Sequence, residues 1–213
     1  MDQRGPLPPD DARFYMAHII CGVDFLHSQG ILHRDLKPDN IFMKDDGHLV
    51  IGDFGLAVTL TTTGTIRPRF KAIKSIMNFK DTDVAVFRKT GRCCGTPTYG
   101  APEMFARKPY GFEIDIWALG IIHYEMLTDS VPFNDDSATS ELCRSVLEDE
   151  VSFSNSVWET EENAQAKAFV KKLLTKDPLL RPTVKEIQKD AYLSVLCVLV
   201  LSYDALRFTV RMQ

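Results

Sequence analysis

Residues 33 to 55 concentrate the side chains that could do chemistry. The stretch opens with His33, Arg34, Asp35, Leu36, Lys37, Pro38, Asp39 and Asn40. Ile41, Phe42 and Met43 follow, then a Lys44-Asp45-Asp46-Gly47 turn, and Leu49 to Ile51 lead into Gly52, Asp53, Phe54 and Gly55. An Asp, a Lys two residues on and an Asn five residues on, followed shortly by Asp-Phe-Gly, form the set that metal-assisted phosphoryl transfer needs. Asp35 can take the proton of an attacking hydroxyl, and Lys37 can neutralise charge on the moving phosphoryl group. Asn40 and Asp53 offer hard oxygen ligands of the kind magnesium prefers. A loop rich in Asp and Asn between a helix and a strand is, on its own, only a turn. The whole set in order is what points to chemistry.

These residues need elements to hold them. Tyr15, Ile19, Val23 and Leu26 recur at helical spacing beside Met16 and Ile20, which predicts an amphipathic helix over residues 9 to 28. Pro9 suits its first position, Asp10 and Asp11 suit its dipole, and Gly30 reads as its C-cap. His18 and His27 on this helix read as packing or surface residues rather than ligands. Asn40 to Met43 and His48 to Ile51 read as two short strands around Asp46-Gly47, a hairpin that fixes the span between Asn40 and Asp53. Residues 56 to 92 read as long and irregular. Residues 113 to 128 are apolar nearly all round and should form a buried central helix, in which a lone Asp115 must find hydrogen bonds. Phe169, Val170, Leu173 and Leu174 give another amphipathic helix, ended by Asp177-Pro178. Thr183-Val184-Lys185-Glu186 is a capping box that opens a further short helix.

With 213 residues, the chain can form one large domain or two small ones. Its 45% hydrophobic and 25% charged composition is that of an ordinary globular protein, and a net charge of -4 gives no case for nucleic acid as the main partner. Cysteines fall at 21, 93, 94, 143 and 197, an odd number with no C-x-x-C pair, which predicts a reducing, intracellular setting, cytoplasmic or nuclear. Residues 1 to 10 are polar and proline-rich, unlike a signal peptide, and no apolar run reaches the ~20 residues of a transmembrane span.

The His33 to Gly55 motifs resemble the catalytic loop and Asp-Phe-Gly segment of eukaryotic protein kinases. Gly95-Thr96-Pro97-Thr98-Tyr99-Gly100-Ala101-Pro102-Glu103 is similar to the Ala-Pro-Glu element that closes the kinase activation segment. The resemblance covers residues 1 to 190 and implies a mainly α fold, the kinase C-lobe: a helical bundle with a short β-hairpin carrying the catalytic loop and Asp-Phe-Gly. Lys37 and Thr96 match the Ser/Thr pattern, and the Cys94-Gly95-Thr96-Pro97 wording is similar to the AGC group, which includes the cyclic-AMP-dependent kinase. By resemblance, Asp35, Lys37, Asn40 and Thr96 carry catalysis. Lys37, Asn40, Phe42 and Asp53 would bind ATP, with Asn40 and Asp53 on magnesium. His33, Arg34, Phe54 and Gly55 would frame the site. Asp115 would anchor the backbone of the His-Arg-Asp loop, and Arg181 would pair with Glu103. Phe42 has two readings, the apolar floor beneath an adenine ring or a core residue of the hairpin.

The resemblance implies ATP and proteins bearing Ser or Thr acceptors as partners. Only 32 residues precede His33, and the twelve glycines nowhere form G-x-G-x-x-G. The family's small lobe, with its glycine-rich loop and strand lysine, is therefore expected to lie outside this sequence. Two functions stay open: the catalytic lobe of a Ser/Thr kinase, or a catalytically dead truncated kinase that serves as a protein-binding module. The activation segment, residues 53 to 103, carries a long insert at about 59 to 89. Its basic stretch 67 to 80 could form a short helix for a regulatory partner, or a solvated loop. In many related kinases the arginine matched here by Arg34 grips a phosphothreonine, which in the AGC pattern lies two residues before the Cys-Gly-Thr-Pro run, a position held here by Arg92. Thr90 is the nearest alternative acceptor, and the other reading is a lobe never switched by phosphate. Residues 191 to 213 form a divergent hydrophobic tail, either a terminal strand or helix packed on the domain or a segment foreign to it.

Overall fold

Helix α1 spans Pro9–Ser28, as its periodicity requires, in a computed structural model that describes residues 5–45, 47–61, 84–86, 94–133, 139–161 and 163–204. Proline at the first position and Asp10 and Asp11 in the first turn start the helix. Met16, Ile19, Ile20, Val23 and Leu26 are buried along one face. Gly30 ends it at φ 78, a left-handed conformation that glycine adopts without strain. Its carbonyl accepts from Leu60 N–H at 2.7 Å, so the end of α1 is tied to a distant segment.

That segment corrects the reading of residues 56 to 92 as irregular at two places, 58 to 61 and 84 to 86. Strands β1 (Ile31–Leu32), β4 (Val58–Thr61) and β5 (Val84–Val86) form a three-stranded sheet, β4 antiparallel to β1 and parallel to β5. β2 (Ile41–Met43) and β3 (Leu49–Ile51) form the expected hairpin, with Ile41 opposite Ile51. The basic stretch 67 to 80, most of the stretch 59 to 89, Thr90 and Arg92 lie outside the described residues.

The remaining described α-helices are α2 (Pro102–Phe105), α3 (Glu113–Thr128), α4 (Thr139–Glu148), α5 (Ala164–Leu173), α6 (Val184–Gln188) and α7 (Ser194–Asp204). α3 is buried almost all round and packs against both α1 and α5, with Trp117, Leu119, Ile121 and Ile122 out of solvent. α6 opens with the predicted capping box: Thr183 N–H donates to Glu186 Oε2 at 2.7 Å, and Glu186 N–H donates to Thr183 Oγ at 3.3 Å. The hydrophobic tail folds, through residue 204, as α7 against α1. The Arg13 guanidinium donates to the Tyr192 carbonyl just before it and stands 5.4 Å over the Tyr192 ring.

Where the tail meets α3, His123 is wholly buried beside Phe169 and Tyr192, its Nε2 3.0 Å from the Tyr192 hydroxyl. Burial pushes the ring's pKa down from 6.5 to about 3. The native ring therefore stays neutral while the unfolded ring protonates below pH 6.5. This contribution is fully present above pH 6.5 and is lost as the pH falls toward 3, at ~1.4 kcal/mol per unit. His123→Phe should remove that component, about 2 kcal/mol between pH 6.5 and 5. Urea unfolding of both proteins across that interval measures it.

Candidate active site

The catalytic loop hangs from one side chain of α3. Asp115 is buried and spends both carboxylate oxygens on the loop and on α1. Oδ2 accepts from His33 N–H at 3.0 Å and lies 2.9 Å from His27 Nε2, while Oδ1 accepts from Arg34 N–H at 3.0 Å. Burial works against the charge, but the His27 bond and the nearby rings outweigh it and hold the carboxyl below the usual range. The paired amides keep Arg34 at φ 70, where a non-glycine residue costs roughly 1–3 kcal/mol. His27, read from sequence as packing or surface, is part of this anchor. Its partner lies 88 residues away, so no local pattern could reveal it.

His33 carries the anchor onward. Asp35 N–H points at its Nδ1 from 3.3 Å, so the ring proton sits on Nε2 and is donated to the Gly52 carbonyl at 3.0 Å. Gly52 N–H donates back to the Asn40 carbonyl at 2.9 Å. The residue before Asp53 is thus clamped from both sides by the catalytic loop. Asp53 follows at φ 52 with an exposed side chain whose Oδ1 accepts from Gly55 N–H at 3.2 Å. Phe54 packs its ring 5.1 Å from that of His33.

Asp35 is the point of convergence. Its Oδ1 accepts from Thr96 N–H at 2.8 Å and from the Thr96 hydroxyl at 3.0 Å. Its Oδ2 lies 3.3 Å from Lys37 Nζ and 3.4 Å from Asn40 Nδ2. Burial again opposes ionisation, but the two Thr96 bonds and Lys37 prevail and keep Asp35 below the ordinary carboxylate range. Lys37 Nζ also donates to Thr96 Oγ at 2.8 Å. Asn40 Nδ2 donates to the Asp35 carbonyl at 2.8 Å, which fixes the amide's orientation and turns its oxygen the other way. Asn40 and Asp53 therefore stand at the same end of the β2–β3 hairpin, one a carbonyl oxygen and the other an exposed carboxylate. That donor chemistry suits magnesium, which takes few protein oxygens and relies on phosphate for the rest. Among the described residues no group of three or more His, Cys, Asp and Glu could hold a metal by itself.

Phe42 is 54% exposed, which is not the position of a hairpin core residue. Its ring lies across Gly52, where a Cβ would come within 2.6 Å of Cε2. Arg34 Nε donates to the Leu56 carbonyl at 2.6 Å, and its guanidinium also bonds the Tyr110 hydroxyl. Arg181 pairs with Glu103 in a fork of 2.8 and 3.2 Å, the two side chains 0% and 2% exposed. It also donates to the Thr175 and Glu113 carbonyls at 3.0 and 2.7 Å.

One close approach escaped the sequence reading. Gly95, at φ 88, brings the segment so near the catalytic loop that a Cβ would stand 2.5 Å from the Arg34 carbonyl oxygen. The glycine of the Gly95-Thr96-Pro97 run was in view, but a turn and a backbone contact look alike in one sequence.

The model of the protein kinase domain matches residues 1–193. The serine/threonine-protein kinase H1 homolog of Danio rerio is 36% identical over 193 residues, 89% of this chain and 40% of that protein. The serine/threonine-protein kinase WAG1 of Arabidopsis thaliana is 34% identical, over 82% of this chain and 41% of its own length. The human calcium/calmodulin-dependent protein kinase type 1B is 32% identical over 90% of this chain and 49% of its own. The chain belongs to the protein kinase family, on the Ser/Thr kinase side, and spans less than half the length of these relatives.

Gly95→Ala adds a methyl group against a fixed carbonyl at a left-handed position. It should cost roughly 1–3 kcal/mol and loosen the bond from Thr96 N–H to Asp35. Faster hydrogen exchange at the Thr96 amide, with the α3 amides unchanged, is the expected result.

Proposed function

We propose that this chain is the C-lobe of a protein Ser/Thr kinase, transferring the γ-phosphoryl group of ATP to Ser or Thr hydroxyls of proteins. The observation that carries the proposal is the convergence on Asp35 of Thr96, Lys37 and Asn40, all within 3.4 Å, with Asp53 across the hairpin. Asp35 Oδ1 is held by Thr96, so Oδ2 is the oxygen that orients an acceptor hydroxyl and receives its proton. The carboxyl is a weak base, as suits a transfer in which the hydroxyl loses its proton late and positioning supplies most of the rate. Lys37, beside the same oxygen, balances charge on the phosphoryl group. Asn40 and Asp53 would hold magnesium, which supplies charge neutralisation on the phosphates. Phe42, flat and exposed beside them, serves as the floor for adenine. The Cys94-Gly95-Thr96-Pro97 wording supports an AGC-like subgroup.

The exposed Phe14, Phe42 and Met43 favour a second reading, a protein-binding module that keeps the site without using it. Paired variants separate the two. Asp35→Asn should leave magnesium-ATP binding nearly intact and lower peptide phosphorylation by ~10²–10⁴-fold. Asp53→Asn should weaken nucleotide binding and turnover together. Because the Thr96 bonds and Lys37 hold the Asp35 carboxyl below the ordinary carboxylate range, its protonation should place no acid limb on the transfer rate near neutral pH. Phosphorylation of a Ser/Thr peptide by protein prepared with its flanking regions, followed over pH and by variant, tests all three. Full phosphorylation by Asp35→Asn would refute the role given to Asp35, and no phosphorylation by either protein would leave the binding-module reading.

A further inference from the structure

α7 lies beyond the stretch matched by the kinase family and carries a chemical feature that the phosphoryl-transfer site does not use. Between Ala191 and Tyr203 the sequence has no charged residue. The helix is therefore held to α1 by burial of apolar side chains, Cys197 and Val200 inward and Val195 and Val198 outward in solvent. At the centre of that seam, Cys197 of α7 meets Cys21 of α1. Neither is in a disulfide, they are 1% and 2% exposed, and the two thiols hydrogen-bond each other. The bond to Cys21 outweighs burial and the Asp24 charge, holding the Cys197 thiol below its usual pKa. Asp24 is itself paired with Lys185 Nζ at 2.6 Å, which tempers its repulsion of a thiolate.

We infer that Cys21 and Cys197 form a site of reversible oxidative cross-linking that fastens α7 to α1. The oxidant is a peroxide. While closed, the pair is shielded and inert, as buried thiols are. A helix held on one face, with its other face in solvent, opens locally at far lower cost than the core, and opening exposes Cys197. The Cys197 thiolate attacks one peroxide oxygen and the O–O bond breaks. With one proton taken up, a sulfenic acid and one water result. Reclosure sets Cys21 against the sulfenic sulfur. Its thiol attacks, the S–O bond breaks, a second water leaves with the thiol proton, and an S–S bond remains. Two electrons have passed from the thiols to the peroxide. A dithiol reductant reverses the link by exchange and is itself oxidised to a disulfide.

The test treats the full chain with hydrogen peroxide and maps its cysteines under non-reducing conditions. Expected is a linked pair of peptides containing Cys21 and Cys197, lighter by two hydrogens and separated again by dithiothreitol. The link closes a long loop of the unfolded chain, so the thermal midpoint should rise by roughly 5–10 °C and return on reduction. Cys143→Ser should keep both effects, and Cys197→Ser should lose both. If Cys197→Ser does not fold, the wild-type peptide map decides alone. Free thiols at 21 and 197 after peroxide has oxidised Cys94 or Cys143 would overturn the inference. So would Cys197 advancing to a sulfinic acid with Cys21 untouched.

Discussion

Asp115 is a carboxylate placed among apolar side chains on α3, a helix buried almost all round. A charge so placed costs several kcal/mol in lost hydration and survives only where donors replace the water. Here the donors are the amides of His33 and Arg34, with His27 as the third partner. The same bonds that make the charge tolerable fix the path of the catalytic loop. α1, through His27, and α3, through Asp115, therefore meet at the base of the site. From there rigidity passes outward through His33 to Gly52, and so to the residue before Asp53.

The site is also a place where the backbone departs from easy conformations. Arg34 and Asp53 both adopt left-handed angles, and Gly95 fills a gap too narrow for a side chain. Such positions persist only when their surroundings over-determine them. Arg34 is held by Asp115 below and by the Leu56 carbonyl at its side chain. Asp35, next in sequence, is thereby aimed at Thr96 and Lys37. The two oxygens of that carboxylate divide the work, one tying down the activation segment and the other facing the cationic and amide groups.

What could be read from the sequence was what local patterns encode. α1 and α3 announce themselves by periodicity and by uninterrupted apolar character, and the Thr183 capping box needs only four residues to be recognised. The hairpin carrying Asn40 and Asp53 was legible for the same reason. β1, β4 and β5 were not. They are two to four residues long, and their partners lie far apart in the chain, so pairing rather than propensity defines them. In the candidate site, motif spacing singles out Asp35, Lys37, Asn40 and Asp53, while the contacts that hold them come from elsewhere. His27 looks like any helix-face histidine, and Gly52 and Gly95 look like turn residues, until the distances to Asp115, Phe42 and Arg34 are known. Phe42, readable either as an adenine floor or as a hairpin core residue, is 54% exposed, and no local pattern could tell its burial in advance.

The fork between Arg181 and Glu103 has a mechanical meaning. Exposed ion pairs stretch, admit water and fade gradually as salt is added. This one is sealed, with the guanidinium 5.1 Å over the Trp117 ring and further bound to carbonyls. A half-opened state would leave two bare charges in a dry cavity, at a cost of roughly 3–5 kcal/mol. The joint therefore has two positions, shut or fully undone, and nothing stable between them. It behaves as a latch rather than a spring. The short helix α2 that carries Glu103 is thereby fixed to the helical base of the fold.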